Sequence, residues 1–325
     1  MKRKLQTSNF RHHTAKKISD ILEYFSFFSY PPTFEEIYTF FPEKLTRRRL
    51  TSILDEMEKK SLIISWKVEG ASTFNFLCSS INMMRYTLPQ YSKKTREYRL
   101  RLTNSFTKVR KILPYVQLLT FVSSIKLIGL SGSVSMFNAR EEDDIDLFII
   151  TARNRLFTGR FIALLVAELF GLRRKSHYPD HIGVPHHDKE TNKACLNLFF
   201  DERNLTVPNF KKTEYVAHEI LQMKPLIDKD NTYLRFIQAN KWVFKFFPNA
   251  KNQISNELLS FKIKNLDFIE NFKFQIANSL EEILKKLQLY FIKKHQTTEI
   301  ITDSQLWFHP DDFEKKLVQR KNIFP

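Results

Sequence analysis

A mainly apolar run, Ile125 to Leu130, leads into Ser131-Gly132-Ser133, and ten residues later Asp144-Ile145-Asp146 opens a second apolar run that ends at Thr151. This order predicts strand, tight turn, strand. Alternation along a strand sets side chains two apart on one face, ~7 Å apart along the backbone, so Asp144 and Asp146 are expected to point together. Two carboxylates at that spacing call for a cation. A turn of small residues opposite them, with backbone N–H groups and the Ser133 hydroxyl, suits phosphate oxygens, and a side chain larger than that of Gly132 would block their approach. The pair reads as a metal-nucleotide site.

Gly132-Ser133, ten intervening residues and Asp144-x-Asp146 flanked by apolar residues resemble the motif of the polymerase-beta-like nucleotidyltransferase superfamily. The resemblance implies that Gly132 and Ser133 bind the triphosphate, that Asp144 and Asp146 are catalytic and hold Mg²⁺, and that a third carboxylate comes from a later strand. The plainer alternative is a β-hairpin whose loop carries Arg140, Glu141, Glu142 and Asp143 as solvated charges. The next strand-like run, Ala194 to Phe200, has Asn197 as its only polar residue, and Asp201 and Glu202 follow just past its end. Asn197 and Asp201 are therefore the possible third positions. An amide oxygen can ligate Mg²⁺ but cannot act as a base, and Asn197 reads equally well as a buried, hydrogen-bonded amide.

The first eighty residues have a different rhythm. Ile18 to Phe28 is apolar at helical spacing, Thr33-Phe34-Glu35-Glu36 has the capping-box form, and Thr46-Arg47-Arg48-Arg49 opens a third helix running to about Lys60. Two β-prone runs follow, Leu62 to Val68 and Thr73 to Cys78, separated by Glu69-Gly70-Ala71-Ser72. Three helices and a hairpin in this order resemble a winged-helix domain, which places Arg47, Arg48 and Arg49 where a recognition helix meets nucleic acid. A protein-docking module with a solvated basic face is the alternative. From Met83 to Ile112 the sequence predicts a helical connector whose Lys93, Lys94, Arg96, Arg99 and Arg101 could follow a phosphate backbone.

The fold class expected is α+β: a winged-helix-like domain over 1–82, a basic connector over 83–112, a small mixed-sheet nucleotidyltransferase core over 113–210 and a helical region over 211–325. A helix at Leu156 to Leu172 joins the core strands. Four histidines follow it, His177, His181, His186 and His187, at a spacing that matches no structural zinc framework. Beyond Pro208 helices are expected at Glu214 to Met223, Tyr233 to Phe247 and within Asn256 to Lys294. On the first of these, His218 and Gln222 share a face, and Lys224, before Pro225, either reaches a triphosphate or neutralises the helix end. His218-Glu219 lacks the second histidine of a zincin, which excludes a metalloprotease of that type. The tail from Trp307 is expected to pack its aromatics inward and end in a basic helix.

Composition limits the classes further. A hydrophobic content of 42% in 325 residues supports two or three ordinary cores, not a disordered chain. The net charge of +17 suggests a polyanionic partner such as RNA or DNA, or else a Lys-rich bias. Cys78 and Cys195 lie in apolar runs and read as free thiols of a reducing compartment. The first residues carry no apolar signal core, and the longest apolar stretch, Leu156 to Leu172, is too short and too charged to span a bilayer, so a cytoplasmic protein is expected. Together these features predict Mg²⁺-dependent transfer of an NMP from an NTP to an acceptor, with pyrophosphate released. The alternative is a nucleic-acid-binding regulator with a nucleotide-sensing or inactive domain.

Overall fold

A computed structural model of the chain describes residues 2–68, 83–95, 97–173, 191–251, 278–295 and 299–308. The expected strand at Thr73 to Cys78, the turn before it, Arg96, the side chain of Lys94, the four-histidine cluster and the tail beyond Phe308 lie outside the described residues, as does much of the helix expected from Asn256. The chain divides into two units: the described residues of Met1–Thr103 and Lys241–Phe261, and those of Asn104–Asn240 and Lys262–Pro325.

In the first unit, helices α1 (Lys2–Phe27), α2 (Phe34–Thr39) and α3 (Arg47–Lys59) precede strands β1 (Ile64–Lys67) and β2 (Met84–Thr87). The capping box forms as its sequence dictates: Thr33 accepts from the Glu36 N–H at 3.2 Å, and Glu36 accepts from the Thr33 N–H at 2.7 Å. Thr46 caps α3 in the same way by accepting from Arg49 N. Apolar positions at helical spacing, among them Ile18, Leu22, Phe25, Leu50, Leu54 and Met57, are buried together. β1 and β2 pair antiparallel, and the segment before α2 adds a rung to β2 through Thr33 and Arg85. Asn249, far along the chain, holds the turn between α2 and α3: it accepts from Leu45 N at 3.1 Å and donates to Glu43 O at 2.7 Å.

The connector departs from expectation at both ends. Met84 to Thr87 is strand, because β1 supplies its partner, and helix follows only at α4 (Ser92–Thr95) and α5 (Tyr98–Thr120). Helix α5 then continues past Ile112, with Ile112, Tyr115, Val116 and Leu119 fully buried.

The second unit is built on a six-stranded mixed sheet. Its strands are β3 (Ile125–Leu130), β4 (Ile145–Thr151), β5 (Ala194–Asp201), β6 (Lys224–Asp228), β7 (Ile300–Ile301) and β8 (Gln305–Trp307), in the spatial order β6-β3-β4-β5-β8-β7. β3 runs antiparallel to β4 and β6, and β4 runs parallel to β5, with helix α7 (Leu156–Leu169) in the crossover. On one face Gly159 of α7 lets the helix close on the sheet; a Cβ there would stand 2.5 Å from Thr151 Cγ2. Phe148, three residues from Thr151 and so on the opposite face, stacks with Phe200 and with Phe236 of α9 (Thr232–Ala239).

The C-terminal part is not all helical. Pro225 ends α8 (Glu214–Gln222) as expected, but Lys224 to Asp228 then pairs with β3 as an edge strand, where a proline costs no ladder bond to a second neighbour. Trp307 belongs to strand β8 against β5. The helix expected over Tyr233 to Phe247 breaks after α9, before α10 (Val243–Phe246). At the break, buried Asn240 donates to Leu205 O and Phe236 O and accepts from Val207 N. Helix α11 (Asn278–His295) packs on α7. Among the described residues no helix is long and apolar enough to cross a membrane.

Candidate functional site

The end of β3 delivers Ser131 in extended conformation, and Gly132 follows with φ +61°, opening the single-turn helix α6 (Gly132–Ser135). A Cβ at Gly132 would overlap Asp146 Oδ2, so glycine is required here twice, for its backbone angle and for the carboxylate packed against it. Ser131 N also donates to Asp146 O at 3.0 Å, which docks the turn on β4. Ser133 Oγ donates to Asp143 Oδ2 at 2.8 Å, and Arg140 N donates to the same oxygen at 2.9 Å. Asp143 is therefore a brace between turn and loop, not a solvated loop charge. Asp144 stands one residue before β4, where its Oδ1 accepts from Lys193 N at 3.2 Å.

The structure thus brings Gly132 against Asp146 and joins Ser133 to the loop that ends in Asp144. It separates the two positions considered for a third group. The register sets Asp146 opposite Cys195, and the half-buried Asn197 turns its Nδ2 to Cys195 Sγ, close to the strand position that faces Asp146. Asp201 pairs with Thr151 instead, five residues along β4 from Asp146, or ~17 Å of strand. It is fully buried, accepts from Asn154 N and Arg203 N at 2.8 Å each, and pairs with Arg203. Asp201 is a loop anchor at the far end of the sheet and leaves the site. Glu202 is likewise engaged elsewhere, accepting from Arg235 at 2.9 Å.

Helix α8 supplies a carboxylate that the sequence reading passed over. Glu219 accepts from the Gly132 N–H and from the hydroxyl of Tyr215, one helical turn earlier, and its carboxylate faces Asp146. Burial, reinforced by the negative charge of Asp146, pushes its pKa up to about 7 against the pull of the two hydrogen bonds. The signal available in the sequence is the concentration of polar groups, Glu219 among them, on an otherwise apolar helix. His218 is buried with Ala217 and Ile220 in the core-facing side of α8. Lys224 is the first residue of β6, opposite Leu130, with Nζ 5.7 Å from the centre of the Phe137 ring.

The basic positions divide into exposed and interior ones. Arg48 and Arg49 are exposed at the start of α3, as is Arg47, whose guanidinium pairs with Glu35 and lies 4.7 Å over the Tyr38 ring. Arg99 is exposed, whereas Arg101 is buried and donates to Phe28 O at 3.0 Å, so it does not follow a phosphate backbone. Lys108, a few residues on, is also interior.

Among the described residues no three His, Cys, Asp or Glu side chains are grouped as a metal-ligand set. Comparison of the chain with protein-family models, with curated proteins and with solved structures returned no match.

Proposed function

We propose that this chain is a Mg²⁺-dependent nucleotidyltransferase that transfers an NMP from an NTP to an acceptor and releases pyrophosphate. The observation that carries the reading is the packing of the Asp146 carboxylate on Gly132 in a strand-turn-strand unit, with Ser133 braced to the Asp144 loop. Asp144 and Asp146 offer hard oxygen donors of the kind Mg²⁺ takes. Bound there, Mg²⁺ would offset phosphate charge and orient the acceptor for in-line displacement. Gly132 and Ser133 would receive the phosphates by exchanging their present acceptors, Glu219 for the Gly132 N–H and Asp143 for the Ser133 hydroxyl, for phosphate oxygens. The acceptor oxygen forms its bond to the α-phosphorus as the bond to the β-phosphate breaks, and the acceptor proton needs a base. Asn197 cannot serve, and Glu219, whose carboxylate faces Asp146, is the candidate for that role.

The order α1-α2-α3-β1-β2, with the extra rung of Thr33 on β2, supports a winged-helix-like reading of the first unit. Arg48 and Arg49 are then its candidate nucleic-acid contacts.

A second reading, a nucleotide sensor without turnover attached to a nucleic-acid-binding domain, is favoured by one observation: the β5 position beside Cys195 holds a neutral amide, Asn197. Calorimetry with Mg²⁺ and each NTP, run beside an assay of pyrophosphate release with cellular RNA or protein as acceptor, separates the two. Binding is expected in the wild type and is expected to be lost in D144N/D146N. Binding without pyrophosphate selects the sensor. Equal affinity in wild type and double variant removes the metal role of the motif.

A further inference from the structure

Lys108 lies on α5 with 2% of its surface exposed, inside the run whose basic residues the sequence marks for a phosphate backbone. Its ammonium donates to Glu141 O at 2.8 Å, Asp143 O at 2.6 Å and Asn192 Oδ1 at 2.5 Å. An ammonium has three protons and accepts nothing, so all three are committed to neutral oxygens of the protein itself. The two carbonyls belong to the loop before β4, and the amide belongs to the turn before β5, where Asn192 sits at φ +62°.

One residue further along each segment, the chain makes the bonds that fix Asp144. Lys193 N donates to Asp144 Oδ1 at 3.2 Å, and Ile145 N donates to Lys193 O at 2.8 Å. Lys108 therefore grips both segments next to their mutual bonds. The loop it grips carries four consecutive acids, Glu141 to Asp144, whose repulsion a buried cation at their base offsets. Desolvation lowers the Lys108 pKa, and the carboxylates of Asp143 and Asp144 oppose that shift.

We propose that Lys108 is a positioning residue of the candidate site, tying the Glu141–Asp143 loop to the Asn192 turn so that Asp144 is held between them. Its bearing on ligand binding rests on Asp144 acting as a metal ligand, as proposed above.

The test compares wild type, K108M, K108R, N192A, D144N and D144N/K108M in calorimetry with an NTP, with Mg²⁺ and again with EDTA. K108M is expected to weaken Mg²⁺-dependent binding about ten-fold, with binding in EDTA unchanged, and K108R is expected to recover part of the loss. N192A removes one arm of the clamp and is expected to shift affinity in the same direction by less; it carries the test if K108M does not fold. D144N/K108M is expected to bind no more weakly than D144N, because the two residues act as one unit. Wild-type affinity in K108M and N192A, or losses that add in full to that of D144N, overturns the proposal. Amide exchange on the same proteins separates this failure from failure of the nucleotidyltransferase reading. If the wild type shows no Mg²⁺-dependent binding, only that reading falls. Faster exchange at Ile145 and Lys193 in K108M or N192A then sustains the clamp, and unchanged exchange overturns it.

Discussion

At Gly132 two carboxylates converge on one residue that has no side chain: Asp146 packs where a Cβ would be, and Glu219 takes the backbone N–H. Burial of the Glu219 carboxyl, reinforced by the negative charge of Asp146 beside it, pushes its pKa up to about 7. Below about 4.5 both folded and unfolded chains hold its proton; between there and about 7 only the folded chain does. Stability conferred by this group is accordingly complete at low pH and is lost as pH rises through about 7. In E219Q the amide oxygen can still accept from Gly132 while the charge is gone. Denaturant unfolding in EDTA is therefore expected to show E219Q gaining on the wild type between pH 5 and pH 8. Parallel pH profiles for the two proteins would show that Glu219 ionises normally. The sequence shows Glu219 among the polar groups of α8 but not its role, because the Gly132 N–H and the Asp146 carboxylate that define it come from elements far away along the chain.

Elements held by their own apolar runs were legible, and those held by a neighbour were not. β3 and β4 follow from mainly apolar runs, interrupted by Lys126 and Gly129 in the first and by Asp146 in the second, and α7 from an apolar stretch whose small residue Gly159 fits against Thr151. β6 hid behind Pro225, and β7 and β8 are too short to register as strands without the sheet edge that pairs them. The start of α7 depends on a neighbour in the same way. Glu281 of α11, buried at 7% exposure, accepts from Phe157 N at 2.9 Å and Thr158 N at 2.8 Å, a cap delivered from another helix. Gln288 extends the joint by donating to Phe157 O at 2.7 Å. E281A leaves two buried donors without acceptors and is expected to cost about 2–4 kcal/mol in chemical denaturation, at ~1–2 kcal/mol per donor. E281Q, which keeps one acceptor oxygen, is expected to cost about half as much. A loss below ~0.5 kcal/mol in E281A would mean that water or another group replaces the cap.

For the whole molecule, a formal charge of +17 overstates what a polyanion would meet. Arg85, Arg101 and Lys108 are buried and bound to the protein's own oxygens, and Arg47 is paired with Glu35. Duplex DNA or RNA binding, if it uses the start of α3, is expected to weaken steeply with salt, and R48A/R49A to lower the log-log slope by about 1–2. R101A is expected to leave that slope unchanged while lowering thermal stability. No binding even at low salt would assign the charge to composition and move the acceptor toward protein or a small molecule. The strand order carries a different consequence, one of time. β5 obtains its second neighbour only from Gln305–Trp307, about a hundred residues later in the chain. At roughly 5–20 residues per second, a nascent chain on the ribosome carries β5 with one edge unpaired for roughly 5–20 s, so every round of synthesis passes through an interval in which chaperone capture competes with pairing between neighbouring nascent chains.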